Sequence, residues 1–530
     1  VLTRRNESIL AVILITLAAL ARLGPIASGL PYISYVDEGH VLHPAIGILK
    51  AKSFDSSIYT YPPLTSYLTA AAVKIYAPFY RLVHHHSFRK DLPSNDDFQS
   101  DLGERYDLIT PPEIIWLGRF VVACLSVGIV FCAGALGKLL GGSRAGLIAM
   151  LFTGLCPALI SRGSIVIIDT VATFFALMVL YFCQRLRIVA LSGGAMWRIA
   201  AFAGIAAGLA CGAKYTVGAV FVAVLITIAT LPGPPRPKVI LIMITTAGLC
   251  AGIVIGVPAA LLHPTKIIAE LRAQGAFYQT IRSEQNYWRA ALSAQEIGLP
   301  LIIAGLAGII WMCRNRATRS IALSWLGFGL LLLSAVVWPS FQPFRNVLSL
   351  VPLLCIAAAL FSEQARRYLE QRETRYASQL AVALVLFLVC SSAWSSVRYL
   401  ATRITHTDSR IEAIDWLEQH APKDALVLGI RELAILPAEW KRIPAKSLIV
   451  SWSQAADALQ QQRFDYVVTG EFDLRYAQDP AGWSSSRDRW RLINSTMPAV
   501  ARFGAVPTPV VPYLWRTNDE LVFILKPEAR

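Results

Sequence analysis

Apolar runs, most of them near the length needed to cross a bilayer, dominate the first three quarters of the chain. A helix needs about 20 apolar residues to span the hydrocarbon core. Runs of that order stand near 8–27, 114–136, 144–161, 168–184, 199–213, 215–231, 238–257, 297–313, 320–338, 346–361 and 378–396, so about eleven membrane helices are expected. The stretch Ile199–Leu231 is too long for one span and is read as two short ones. Leu64–Phe79 is short and interrupted by Lys74, and is read as an amphipathic helix lying in the interface. The first run lacks a small-residue cleavage site and is read as a retained helix.

Beyond about residue 400 the period changes. Asp408 precedes an amphipathic helical stretch, and Ala425–Ile430, Ser447–Trp452, Asp465–Gly470 and Glu520–Lys526 read as short strands, with a helix over Ser453–Gln462. Alternating strand and helix predicts a small α/β domain. The expected division is a transmembrane domain over 1–398 and a soluble domain over 399–530.

Composition narrows the class. Of 530 residues, 55% are hydrophobic and 16% charged, which excludes a string of soluble domains, a disordered or fibrous chain and a disulfide scaffold. All nine cysteines fall in apolar runs with no metal-finger spacing, as buried thiols do. The net charge is +15, and nearly all of it lies before Val397. That placement orients helices in a bilayer and gives no reason to expect nucleic acid as a partner. The basic residues cluster on alternate loops: Arg4 and Arg5; Lys138 and Arg144; Arg185, Arg187 and Arg198; Arg236 and Lys238; Arg314, Arg316 and Arg319; Arg366, Arg367, Arg372 and Arg375. By the positive-inside rule this predicts a multi-pass protein of the cytoplasmic (inner) cell membrane with a cytoplasmic N-terminus. A long first outer loop (28–113), a second (258–296) and the C-terminal domain then share the extracytoplasmic side, together with all eight histidines.

A few polar residues stand out at the ends of the apolar runs. Asp37 and Glu38 follow the first span, in Tyr35-Val-Asp-Glu-Gly-His40; in an extended or turning segment they serve different partners. A carboxylate there can take a proton from an acceptor hydroxyl or amine, or hold a metal; the competing reading makes Asp37 the cap of an interfacial helix through Gly47. Asp169 lies among Ile and Val, where an acid is costly at membrane depth; alternatively it caps the fourth span, paired with Arg162. Lys214 and Arg345 are lone cations near the outer boundary. They either snorkel or meet a lipid-linked phosphate. Tyr61-Pro62-Pro63-Leu64 punctuates the first loop, and His263-Pro264 follows the seventh span as a candidate ligand or hydrogen-bonding group. His84-His85-His86 is read as a solvated loop continuing into the polar insert Ser87–Pro112, since consecutive histidines do not converge on one ion.

In their order along roughly 20–360 these pieces resemble the polyprenyl-phosphate-sugar-dependent glycosyltransferases of the type C fold, in the branch of protein O-mannosyltransferases and bacterial aminoarabinose transferases of lipid A. Asp37-Glu38 follows the first span as the family's acidic pair does, and Tyr61-Pro-Pro-Leu stands at its Pro-Pro-Leu element. Arg119 occurs in Leu117-Gly-Arg-Phe. Ser161-Arg-Gly-Ser leads to Asp169, the family's second acid. Gly212-Ala-Lys214-Tyr is similar to its lysine turn, and Phe344-Arg345-Asn346…Pro352 to its Arg-Tyr…Pro segment. The resemblance implies that Asp37 is the catalytic base, that Glu38 positions acceptor or base, and that Asp169 supports the same pocket. It further implies that Lys214 and Arg345 stabilise the departing polyprenyl phosphate, with Tyr61, His40, His263 and Arg119 as further pocket residues. The implied reaction moves a sugar, with inversion, from a polyprenyl-phosphate donor to a lipid, polysaccharide or protein acceptor. A divalent metal ion stays open, with no ligand set assigned. Tyr61 departs from relatives with a charged or His residue there, and Asn346 replaces the family's Tyr. Two other readings are an amphiphile transporter or flippase and a non-catalytic assembly protein acting through its C-terminal domain; no inverted repeat supports the first.

Overall fold

The computed structural model describes residues 4–33, 35–56, 59–87, 90, 92, 111–192, 194–280, 287–336, 343–373, 375–405, 407–433, 435–470, 497–504 and 522–526. Most of the polar insert in 87–112 lies outside them. The chain forms two compact units: Val1–Ile26, His40–Arg89 and Trp116–Ala401 make the first, and Ala27–Gly39, Lys90–Ile115 and Thr402–Arg530 the second.

The helices run α1 (Arg4–Leu23), α2 (Val36–Ala51), α3 (Leu64–His84), α4 (Pro112–Gly141), α5 (Ser143–Gly154), α6 (Pro157–Gly163), α7 (Ile168–Leu191), α8 (Trp197–Ala213), α9 (Phe221–Ala229), α10 (Pro235–Gly256), α11 (Ala259–Leu262), α12 (Pro264–Thr280), α13 (Tyr287–Leu292), α14 (Leu299–Arg314), α15 (Arg319–Val336), α16 (Val351–Gln371) and α17 (Ala377–Thr405). Each of the eleven apolar runs is helical. Among the described residues seven are long and apolar enough to cross a membrane, eight when the pair α5–α6, bent by 60°, counts as one span; α8, the segment Tyr215–Ala229 and α14 are shorter apolar helices. Large side chains such as Val12 (65% exposed) and Leu20 (64%) line the outer face of α1, a surface suited to lipid. This is a multi-pass membrane protein. Helix α3, 21 residues long and so longer than the short stretch expected, buries Thr65, Ser66, Thr69 and Ala70 on one side and turns Ile75, Phe79 and Leu82 outward.

Two features of the first unit fix chain breaks. Gly204, Gly208 and Gly212 of α8 face Gly248, Gly252 and Gly256 of α10, and a Cβ on Gly208 would lie 2.3 Å from the Leu249 carbonyl oxygen. Without a hydrophobic drive between helices in lipid, such backbone approach supplies the packing. It anchors α8 up to Gly212, two residues before Lys214. At the α5–α6 bend the freed carbonyls are met by a buried arginine of α1: Arg22 donates to Gly154 O at 3.1 Å, Thr153 O at 3.2 Å and Ser126 Oγ at 2.8 Å. Nothing local in the sequence marks Arg22, a lone cation at the end of an apolar run.

The second unit holds a five-stranded sheet of order β2-β1-β3-β5-β4, built from β1 (Leu426–Ile430), β2 (Lys446–Val450), β3 (Tyr466–Gly470), β4 (Ala499–Phe503) and β5 (Val522–Leu525). The first three are parallel, as crossovers require, and β5 runs antiparallel to β3 and β4. Helices α18 (Ser409–His420), α19 (Pro437–Trp440) and α20 (Trp452–Gln461) accompany them. Ile414, Leu417, Val427, Leu428, Trp440, Val467 and Ile524 form the core. Asp408 caps α18, accepting the Arg410 backbone N–H at 3.0 Å. The strand Ala499–Phe503 was not expected; its alternation is weak and it lies at the sheet edge.

Candidate active site

Lys214 ends α8 because its backbone is extended (φ −151°, ψ 116°); the chain resumes as a 3₁₀ turn, Tyr215–Val220, leading into α9. The break gives the ammonium a fixed place at the helix end. Its Nζ donates to Asp169 Oδ1 at 2.6 Å and to Asn346 Oδ1 at 2.8 Å, with the two charged side chains only 13% and 4% exposed. Asp169 sits in the first turn of α7. The cap position is Ile167, so the capping reading of Asp169 is corrected, and the acid pairs with Lys214. An unpaired acid at membrane depth is expensive, and the pair removes that cost. Thr173 fastens the carboxylate's backbone, donating to Asp169 O at 2.7 Å and lying 3.1 Å from Ser349 Oγ.

Asn346 and the half-buried Arg345 lie on a second 3₁₀ turn, Phe344–Leu350. One turn therefore carries a neutral partner of Lys214 and, beside it in sequence, a second cation. An ammonium has three N–H donors; two of those on Lys214 are committed, leaving one for an incoming oxygen.

Arg162 is engaged elsewhere. Its guanidinium forms a bidentate pair with Glu296, at 2.6 and 2.8 Å, both side chains being nearly fully buried. It also lies 5.0 Å over the Phe344 ring, and its carbonyl accepts the Thr170 hydroxyl at 2.8 Å. Glu296 escaped sequence reading although it is a lone acid just before an apolar span, the same signal that marked Asp169.

Asp37 and Glu38 belong to the second unit and lie in the first turn of α2. The extended or turning conformation expected for them gives way to helix. They still diverge, since consecutive helical side chains are about 100° apart. Asp37 is 8% exposed and Glu38 0%, at a helix end that favours negative charge.

The first unit holds the other candidates. His40 stacks on Tyr61 with ring centroids 4.8 Å apart. Burial lowers the His40 imidazole from its ordinary range, and burial with His40 and Lys50 nearby pulls His43 down to about 3. Both rings are thus neutral at pH 7 and supply hydrogen bonds and stacking, not charge. Close to Tyr61, Tyr59 is a fully buried hub. Its N–H donates to Glu270 Oε2 at 2.5 Å, its hydroxyl to Asp55, its carbonyl accepts the Tyr215 hydroxyl at 3.1 Å, and Lys266 lies 5.3 Å over its ring. His263 is half-exposed and 3.7 Å from Asp55. Arg119 is wholly buried and donates to Ile26 O at 3.0 Å. His84 closes α3, and His85 and His86 follow it; the first two are exposed and His86 is partly buried. Among the described residues no group of three or more His, Cys, Asp or Glu side chains is arranged to hold a metal ion.

The structure thus gathers Asp169, Lys214 and the Arg345–Asn346 turn, pairs His40 with Tyr61, and keeps His263 and Arg119 on partners of their own.

The family model for dolichyl-phosphate-mannose-protein mannosyltransferase matches residues 101–269. The fold is similar to ArnT from Cupriavidus metallidurans in the apo state, with a TM-score of 0.54 and 14% identity over 97% of each chain. The same protein bound to undecaprenyl phosphate gives 0.50 at 14% identity and the same coverage. The Archaeoglobus fulgidus oligosaccharyltransferase in its apo form gives 0.52 at 12% identity, covering 92% of this chain and 71% of that one. No curated protein sequence matches.

Proposed function

We propose that this chain, a membrane glycosyltransferase of the type C fold that takes its sugar from a polyprenyl-phosphate-linked donor, divides its reaction between a carboxylate base on α2 and two cations, Lys214 at a helix break and Arg345 on a 3₁₀ turn. Asp37 takes the proton of the acceptor hydroxyl or amine while the acceptor's lone pair attacks the anomeric carbon. The bond from that carbon to the phosphate oxygen breaks, its electron pair leaves with the polyprenyl phosphate, and the sugar configuration inverts. Glu38 positions base or acceptor.

The observation that carries this reading is Lys214, held at the end of α8 by Asp169 and Asn346. Negative charge grows on the phosphate as the bond breaks, and donors already fixed in a poorly hydrated place stabilise it without reorganising. Arg345, beside Asn346, is the second such donor. Asp169 acts by holding the lysine, and Tyr61 with His40 lines the pocket. The clusters of Lys and Arg on alternate loops support a cytoplasmic N-terminus and chemistry on the extracytoplasmic face of the cell membrane, with 1–398 as the membrane domain and 399–530 as an outer domain. The acceptor is a lipid, polysaccharide or protein.

Lys214→Met is expected to lower kcat for polyprenyl phosphate release by about 10²–10³-fold, the usual effect of removing one such donor. Wild-type turnover in that variant would remove Lys214 from the leaving-group role.

A further inference from the structure

The second unit ties the segment ahead of Asp37 to the C-terminal α/β domain by an aromatic clamp. Tyr32, five residues before Asp37, is 3% exposed. The Arg410 guanidinium stacks on it with Cζ 3.9 Å from the ring centroid. Asp408 holds that guanidinium in place: Arg410 Nε donates to Oδ1 at 2.8 Å and the terminal nitrogen to Oδ2 at 2.9 Å. Asp408 is the cap of α18 as well, so the arginine is built into the start of the domain's first helix. The phenol is gripped at its other end, where its oxygen accepts the Leu436 N–H at 3.3 Å. Ser28 adds a second tie by donating to the Arg403 carbonyl. The Tyr32 N–H bonds Gly29 O and the Glu38 N–H bonds Tyr35 O, each at 2.9 Å. The clamp is thus linked through two tight turns to the start of α2.

We infer that the C-terminal domain is a positioning device for the catalytic carboxylate, with Tyr32, Arg410 and Asp408 as its positioning residues. This rests on the reading of Asp37 as base. A bound guanidinium over a buried ring is a specific, desolvated contact. A general base must lie within hydrogen-bond reach of the proton it takes, and a misplacement of about 1 Å costs on the order of 10²-fold in rate. On this reading the clamp contacts neither substrate nor phosphate. Its loss therefore lowers kcat and leaves donor binding alone.

The test compares Tyr32→Leu, which removes the ring face, with Tyr32→Phe, which keeps it. Kinetics with a polyprenyl-phosphate sugar and binding of undecaprenyl phosphate are measured on full-length protein, with the melting temperature alongside. Tyr32→Leu is expected to lower kcat by about 10–100-fold, with donor KM and undecaprenyl phosphate affinity at wild-type values and the melting temperature lowered but still above the assay temperature, since a buried contact is lost. Tyr32→Phe restores kcat to within about threefold. Wild-type kcat in Tyr32→Leu, or a loss of donor affinity equal to the loss of kcat, overturns the inference. Should Tyr32→Leu not fold, Ser28→Ala takes its place: reduced kcat with unchanged donor affinity supports the positioning role and unchanged kcat rejects it. Asp37→Asn run in parallel separates the two levels. Its retaining full turnover would bring down the base assignment itself, whereas its loss of turnover beside a fully active Tyr32→Leu would reject the clamp alone.

Discussion

Asp37→Asn is expected to lose turnover by about 10²–10⁴-fold while its affinity for polyprenyl phosphate stays at the wild-type level. Asn keeps the size of the side chain and one acceptor oxygen but cannot take a proton at neutral pH. The nucleophile must then attack as a neutral hydroxyl or amine, and the proton has no fixed destination in the transition state. Because Asp37 sits in the first turn of α2 and is 8% exposed, the amide fits the same space. The defect should therefore appear in kcat and not in the melting temperature. Asp37→Glu tests geometry separately, since it keeps the charge and moves the carboxylate by about one carbon–carbon bond; it is expected to recover part of the rate. Rates measured by polyprenyl phosphate release decide the matter, and an Asp37→Asn enzyme with full kcat would rule out the base.

The largest effect on stability is expected at Arg162. Arg162→Met leaves the Glu296 carboxylate buried with its bidentate partner gone, and breaking such a pair costs about 3–5 kcal/mol. The double variant Arg162→Met/Glu296→Met removes both charges and is expected to recover most of that loss, because the desolvation of two ions is no longer required. The pair does more than hold charge. Arg162 covers Phe344, next to Arg345, and anchors Thr170, next to Asp169. The double variant should therefore fold but release polyprenyl phosphate more slowly than wild type. Thermal unfolding of the three proteins in detergent checks the first statement and single-turnover kinetics the second; a double variant as unstable as Arg162→Met would contradict the electrostatic account.

How much of this was legible in the sequence depends on the distance over which each feature is specified. The helices over the apolar runs were, because bilayer thickness fixes the length of such a run, but of the eleven membrane spans expected only seven or eight are long enough among the described residues. So was the division of 199–231, which breaks at Lys214. The sheet followed from short β-branched runs, except for Ala499–Phe503, whose residues alternate too weakly at an edge. Pairings were another matter. Asp169 and Lys214 are 45 positions apart, and Lys214 and Asn346 132. Nothing local in Asn346 says that an amide oxygen will bind an ammonium; a tyrosine at that place would engage it differently. Arg162 read as a partner for the nearby Asp169, yet its carboxylate lies 134 positions away, brought in by the chain entering α14. Asp37 and Glu38 were found as residues, but between an extended or turning segment and the cap of an interfacial helix through Gly47 the sequence did not decide, since Gly39 and Pro44 weaken the helical pattern that burial sustains. Tyr32 gave no signal at all. A tyrosine among apolar residues becomes informative only beside the guanidinium of Arg410.

The central claim is that phosphate, not a nucleotide, leaves as the sugar is transferred. Purified protein in liposomes should be given a polyprenyl-phosphate sugar with candidate lipid, polysaccharide and protein acceptors, and both products quantified. The account predicts one polyprenyl monophosphate released per sugar transferred, an inverted anomeric centre in the product, and neither product with Asp37→Asn. Sugar transfer without polyprenyl phosphate release, or with retained configuration, would contradict it.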